Sequence, residues 1–466
     1  MAAVLRKIDF RVLPFIFICY MFFYIDKTTL SYAAIFGIKK DLNLKGTEYS
    51  WLSSVFYFGY MAWSFPTNYL LIRFPVGKYL GVNIFMWGAF LMIQAACSDF
   101  SSLAAVRAFG GAAEACADSA FMLITGMWYT KREQPIRIGL WYAANGMGVA
   151  FGGLLGYGIG SIKGSMPSWK YEFLIVGCLC CTWGVVIFFG LPDSPLRNQI
   201  FSAREKQLLI IRLKENQSGV DESTDKVLKW DQVKDAFLDP KSWLLFIITM
   251  FANIPNGGIS NFGTMIIQGF GFSTLVTTLL QIPNGFIISF SILVCVYLND
   301  LWMEKSGKNR RTIMIILFML PNIAGGFGLL LVNEHHKVGR LICYYLTGPY
   351  NAAFVMFLSL NTSNTAGTTK KSVTNCMLFL GYCVGNIAGP FFYKTSQYPK
   401  YKLGMGSLLF SHFMEAILAA TLGLYLRREN MKRDKAQGVE AGAELSTEFA
   451  YEDLTDRQNP NFRYVY

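Results

Sequence analysis

Charge is what this 466-residue chain has least of. Only 15% of its residues are Asp, Glu, Lys or Arg, against about 25% in an ordinary soluble domain, while 53% are hydrophobic and 16% aromatic. That balance excludes a conventional water-soluble globule. Histidine is scarcer still, with three residues, His335, His336 and His412. None stands at ligand spacing from the ten cysteines, all of which lie in or beside apolar runs, so neither a metal site nor a disulfide framework is expected. No phosphate-cradling P-loop and no catalytic constellation is present, which leaves ATP-driven pumping without an engine and argues against an enzyme or a bound cofactor. The first apolar run lacks a small-residue cleavage site and is interrupted by Asp26 and Lys27, unlike a cleavable signal. No lipidation or retention motif is seen at the carboxyl end.

Apolar length is abundant. A helix needs about 20 mostly apolar residues to cross a bilayer. Runs of that order occur at 13–30, 50–72, 79–97, 101–128, 136–162 and 171–191, and after a polar gap at 242–263, 273–300, 312–332, 338–360, 372–393 and 403–426. This predicts an all-α polytopic membrane protein of 12 transmembrane helices in two six-helix pseudo-repeats. The expected divisions are a first half at 1–191, a linker at 192–241, a second half at 242–428 and a polar, partly disordered tail at 429–466. Lys and Arg cluster in alternate loops (Arg73 and Lys78; Lys131, Arg132 and Arg137; Lys305, Lys308, Arg310 and Arg311; Lys370 and Lys371) and beside both termini. By the positive-inside rule both termini are cytoplasmic. The net charge of +12 then suits an anionic inner leaflet and calls for no nucleic-acid partner. In the linker, Ser202 and Glu205 have capping-box spacing ahead of an amphipathic helix. The loops after the second and eighth runs each carry a Gly-Lys pair, Gly77-Lys78 and Gly307-Lys308, a trace of duplication.

The fourth run is the exception to the apolar rule. It carries Arg107, Glu114 and Asp118, spaced by seven and four residues, which places the three on one helical face. An intramembrane charge is costly and normally faces a bundle interior or a wet pathway. The stripe either holds helices together through an Arg107–Glu114 pair or lines a transport route. The seventh run reads FANIPNGGISNF, where Pro255, Gly257 and Gly258 predict a weakened helix. Asn253, Asn256 and Asn261 supply uncharged donors there, with Asn351, Asn375 and Asn386 of the tenth and eleventh runs as further candidates. Gly148, Gly152, Gly156 and Gly160 form a small-residue seam in the fifth run. His412 is read as a packed residue, and His335 and His336 as solvated.

Several stretches, taken in order, resemble the major facilitator superfamily, and within it the anion:cation symporter family and its fungal allantoate permease group. They are DKTTLSYAAIFGIKKDL (26–42), MWYTKREQPIRIG (127–139), LPDSP (191–195), NIPNGG (253–258) and NTAGTTKKS followed by GNIAGP (364–390). The resemblance implies alternating access between two halves, with a small organic anion and protons as partners. It also implies transport roles for Asp26, Arg107 and Glu114. Two departures stand out: Asp26 is followed by Lys27 where Asp-Arg is more widespread, and Ser119 replaces a proline, a change expected to straighten the fourth helix. The fifth run lacks the Gly-Pro pair that marks the superfamily's proton antiporters.

The expectation is a monomeric, proton-coupled importer in the plasma membrane. Its cargo would be an allantoate-like ureide, a ureido acid, a short peptide or a vitamin carboxylate. Asp26, Glu114 and Asp118 would handle protons, and Lys27, Arg107 and the asparagines would bind substrate. The alternatives are a proton-driven exporter of a drug or metabolite and a nutrient receptor that does not transport. One consequence is accessible without any substrate. The glycosylation patterns at Asn216 and Asn361 fall on the cytoplasmic side of this topology, so the chain is expected to show no mobility shift on glycosidase treatment. A shift mapping to Asn216 would overturn the inside placement of the linker.

Overall fold

The computed structural model describes residues 2–130, 133–193, 201–202, 205, 207, 209, 229–306, 310–438 and 453–466. The Gly307-Lys308 pair and the Asn216 pattern lie outside these. The first half has spans at Ala2–Ile35, Glu48–Arg73, Val76–Gln94, Phe100–Glu114 continued by Ala117–Trp128, Gln134–Tyr142 continued by Ala144–Gly160, and Ser168–Gly190. The second has Pro240–Gly269, Thr274–Leu279 continued by Gln281–Ser306, Arg311–Leu331, Lys337–Tyr345 continued by Tyr350–Asn364, Thr368–Ala388 and Lys402–Gln437. Ten of these are long and apolar enough to cross a membrane by length and composition alone. The second span, rich in Tyr, Ser and Trp, and the interrupted fourth complete the twelve. An even number of crossings puts both ends of the chain on one face, here the terminal face.

Local chemistry sets the helix starts. Asp99, Asp239 and Ser273 each turn a side-chain oxygen onto a backbone N–H of the first turn, at Ser102, Lys241 and Val276, meeting donors that a helix start leaves unpaired. The capping box forms as expected, with Ser202 N–H on Glu205 Oε2 at 2.8 Å and Glu205 N–H on Ser202 Oγ at 3.3 Å. Asp193 of the LPDSP motif accepts from Lys78 N–H at 3.2 Å, pinning the Gly77-Lys78 turn.

The glycine seam is a packing device, a Cβ on Gly148 standing 2.6 Å from the Met21 carbonyl oxygen of the first span, and Gly146 extends it toward the eighth. The fifth span lies between the first and the eighth, and a Cβ on Gly146 would stand 2.2 Å from the Gly285 carbonyl oxygen. Backbones can approach that closely only where both residues lack side chains. On the face away from the termini the halves are joined mostly by uncharged hydrogen bonds, with Lys39 Nζ also reaching Met265 Sδ at 3.1 Å. Ser31 Oγ meets Thr264 Oγ1 at 2.7 Å, Tyr49 OH donates to Asn261 O at 2.7 Å, and Ser50 and Ser54 donate to the carbonyls of Pro390 and Ile387 at 3.1 and 2.8 Å. That face is closed.

The end of the tail is docked on the second half. The twelfth span runs on to Gln437, and residues 453–466 pack back onto the terminal face of the second half. Asp456 is fully buried and meets Lys241 Nζ at 2.7 Å, Lys370 Nζ at 2.9 Å and Tyr464 OH at 2.8 Å. Asp239 completes the cluster at 2.8 Å from Lys370, while Asn364 and Val465 exchange two hydrogen bonds. Burial alone would push the Asp456 carboxyl up, but the ammoniums of Lys241 and Lys370 hold it below the usual carboxylate range. A depressed folded value means that its stabilisation is present above the ordinary value of about 4 and is lost as pH falls through the depressed one. Removing one member of a buried ion cluster typically costs about 3 to 5 kcal/mol. Asp456→Asn is therefore expected to lower the unfolding temperature of the purified protein at pH 7 and to flatten its acid dependence. A melting curve equal to wild type at both pH values would show that the tail contributes nothing to stability.

Candidate functional site

Glu114 ends the first segment of the fourth span, buried beneath the crossing of the second. The crossing is close because Gly111 has no side chain, and a Cβ there would lie 2.0 Å from the Phe56 carbonyl oxygen. Arg107, two turns earlier, donates through Nε to Leu52 O at 2.6 Å and through Nη1 to Gln94 Oε1 at 3.3 Å, with its guanidinium 5.7 Å from the Phe56 ring. It thereby ties the second, third and fourth spans. It does not pair with Glu114: both Glu114 oxygens are buried without a hydrogen-bond partner among the described residues. Of the two readings of the stripe, the one in which Arg107 and Glu114 staple helices to each other fails. Asp26 accepts from Trp87 Nε1 at 2.9 Å through one oxygen and leaves the other unpartnered. Asp118 accepts from Tyr60 OH at 3.0 Å.

Lys27, 8% exposed, has no carboxylate within ion-pair distance among the described residues. Its ammonium sits 4.7 Å from the Phe23 and Tyr24 ring centroids and 5.1 Å from that of Tyr382, and it donates to the Tyr382 hydroxyl. Tyr382 belongs to the eleventh span, so this contact crosses between the halves. The replacement of proline by Ser119 does not leave the fourth span continuous. The helix ends at Glu114 and restarts at Ala117, with Ala115 and Cys116 between them near right-handed helical values and Ala115 N–H still bonded to Gly111 O at 3.1 Å, and this break separates Glu114 from Asp118.

Two cavities adjoin. The smaller is lined by Asp26, Lys27, Ser53, Phe56, Tyr57, Arg107, Ser260 and Asn261. The larger lies between the halves and has no charged residue in its lining. Five carboxamides, Asn145, Asn256, Gln281, Asn284 and Asn351, reach it together with the hydroxyl-bearing Tyr24, Tyr32, Tyr344 and Tyr350. Asn145 donates to Asn351 across the halves at 2.9 Å, and Tyr350 OH donates to Asn256 at 3.0 Å.

The expected asparagines divide. Asn256 and Asn351 line the larger cavity and Asn261 the smaller. Asn253 and Asn386 stand behind, Asn256 donating to Asn386 at 2.9 Å and Asn386 to Asn253 at 3.1 Å. Asn375 joins none of them; it accepts from Asn361 at 2.6 Å nearer the terminal face. The seventh helix also differs from expectation, running unbroken through Pro255 from Pro240 to Gly269. Its polarity toward the cavity comes from side chains, not from exposed backbone.

Gln281, Asn284 and Tyr382 are absent from the residues expected from sequence. A signal for two of them exists, because QIPNG (281–285) in the eighth span echoes NIPNG (253–257) in the seventh. His412 is buried as expected, but beside a buried acid, Glu415, at 3.6 Å. Among the described residues no His, Cys, Asp and Glu gather as a metal-binding group.

Arg107→Lys keeps the charge and loses the planar fork, stranding either Leu52 O or Gln94. A buried polar group left unpaired costs about 1 to 3 kcal/mol, so the variant is expected to melt earlier in detergent and to transport poorly. A variant that reached the membrane, melted like wild type and kept full uptake would leave Arg107 without the bridging role its contacts describe.

Residues 16–390 match the profile of the Major Facilitator Superfamily. An uncharacterized transporter of Schizosaccharomyces pombe is 36% identical over 99% of this chain and 85% of its own length. The thiamine pathway transporter THI73 of Saccharomyces cerevisiae is 34% identical over 99% of this chain and 86% of its own. The allantoate permease of the same yeast is 30% identical over 98% and 85%. A bacterial homologue of the human lysosomal transporter Spinster, solved in an inward-facing and occupied conformation, shares the fold with a TM-score of 0.63 at 12% identity, covering 89% of this chain and 96% of its own. With the twelve spans and the paired halves, these matches place the chain in the Major Facilitator Superfamily of membrane transporters.

Proposed function

We propose that this transporter imports a small organic anion together with protons, by alternating access, across the plasma membrane with both termini in the cytoplasm. The observation that carries the reading is the juxtaposition of two unlike cavities. One is charged and holds Lys27, Arg107 and Asp26; the other is uncharged and rich in carboxamides. A carboxylate belongs in the first and a neutral, hydrogen-bonding body in the second. Allantoate, a ureido acid, a short peptide and a vitamin carboxylate all have that division, and the name of the allantoate permease relative supports the first. A metabolite lacking an anionic end would leave Lys27 and Arg107 unanswered.

Proton coupling is assigned to Glu114, with Asp26 and Asp118 as its neighbours. A buried carboxylate with no donor is unfavourable, so the site accommodates the neutral acid, and charging Glu114 requires rearrangement around it. Lys27 and Arg107 attract the substrate carboxylate while Asn256, Asn261 and Asn351 orient its polar body, with Asn253 and Asn386 fixing Asn256. Proton and anion occupancy become linked because each changes the charge that the other meets. Closure of the face away from the termini fits the stage at which the outer side is sealed.

The decisive experiment is uptake of radiolabelled allantoate, ureidosuccinate, dipeptide, nicotinate and pantothenate into proteoliposomes under an imposed proton gradient. Accumulation driven by outside acid is expected for at least one of them. Outward movement would support an exporter, and binding without flux a receptor. Glu114→Gln is expected to retain exchange between loaded compartments at normal surface abundance while losing acid-driven accumulation. Normal accumulation by that variant would remove Glu114 as the coupling acid.

A further inference from the structure

The Lys27 ammonium is surrounded by three aromatic rings and one neutral oxygen, the Tyr382 hydroxyl. Rings and a phenol leave the ammonium without a counter-charge, and a ligand carboxylate would offer the same nitrogen both a hydrogen bond and the opposite charge. Lys27 also lines the small charged cavity, so an anion entering it meets the same nitrogen that the phenol holds. Tyr382 is otherwise fixed by its ring, which packs at 6.0 Å against Tyr57 and 6.4 Å against Tyr60 of the second span, and at 6.4 Å against Phe354 of the tenth. Its hydroxyl contributes the contact to Lys27 and its ring contributes the packing, and the two can be separated.

We propose that Tyr382 competes with the substrate carboxylate for Lys27 and so couples substrate binding to release of a contact between the halves. The inference rests on the reading of Lys27 as a carboxylate-binding cation. When a carboxylate takes the ammonium, the phenol gives way, and the bond joining the first span to the eleventh is exchanged for one within the substrate complex. The hydroxyl sets a threshold that a neutral ligand cannot cross. Tyr382 is in this sense a specificity residue selecting for negative charge.

Tyr382→Phe removes the competitor and keeps the ring. Binding of allantoate, ureidosuccinate, nicotinate and pantothenate to the purified full-length protein would be measured by calorimetry, with allantoin as a probe lacking the carboxylate. The comparison covers wild type, Tyr382→Phe, Lys27→Gln and the double variant, with melting temperatures as a control for folding. A hydrogen bond to a charged group is worth at least a factor of about ten in affinity. Tyr382→Phe is therefore expected to bind the best carboxylate about tenfold more tightly and to lower KM for uptake. Allantoin binding should not change, and the gain should vanish in the double variant. Equal or weaker carboxylate binding by Tyr382→Phe, with Lys27→Gln still impaired, overturns the competition and leaves the anion site standing. Unchanged binding by Lys27→Gln, or no carboxylate bound by wild type, overturns the anion site and the competition with it.

Discussion

A charge buried in a membrane protein must be held by something, and the architecture follows from how each one is held. Arg107 is satisfied by a backbone carbonyl and a carboxamide, neutral partners that leave its charge available. Asp26 has one indole donor and one free oxygen, and Glu114 has no donor among the described residues. Lys27 has a phenol and three ring faces. Opposite charges lie in one region without being consumed by one another. A structural ion pair would have been neutralised on the spot. This arrangement leaves their charges open to interaction with whatever enters the bundle interior.

The tail cluster shows the contrasting solution. At the terminal face Lys241 and Lys370 are closed by Asp239 and Asp456 at 2.7–3.5 Å, with Arg433 donating to carbonyls of Asp456 and Phe462. Here every buried charge has a counter-charge, and the seventh, tenth, eleventh and twelfth spans are bound together at that end. The same residue types serve one site by pairing and the other by remaining apart.

How much of this was legible follows from range. The stripe of Arg107, Glu114 and Asp118 could be read because spacing within one helix fixes which side chains share a face, and intramembrane charge is rare. The contrast of Asn375 with Asn386 could not, since both sit on the eleventh span and only helix depth against the seventh decides which joins Asn256. Pro255 misled because a proline removes one hydrogen bond without ending a helix that neighbouring spans hold in place. Tyr382 escaped notice because its partner is 355 residues away and an apolar run gives no reason to single out one tyrosine. The docking of Asp456 was hidden likewise, as its lysine at position 241 is 215 residues distant and a polar tail looks the same whether or not a socket awaits it.

The closed face sets the scale of what a substrate must do. Six neutral hydrogen bonds join the halves there, three between Ser31 and Thr264 and one each from Tyr49, Ser50 and Ser54, beside a contact from Lys39 to Met265. At about 0.5 to 1.5 kcal/mol net for each neutral bond, they amount to roughly 3 to 9 kcal/mol. Reversing a two-state balance from 1:99 to 99:1 takes about 5.5 kcal/mol of differential binding. The two quantities are comparable, so differential ligand binding of ordinary size is enough to open that face. Buried ion pairs like those at Asp456 would have made that face far costlier to open. Paired charges are confined to the terminal end of one half, mostly neutral bonds to the interface between the halves and unpaired charges to the middle, which keeps the interface within reach of ligand binding.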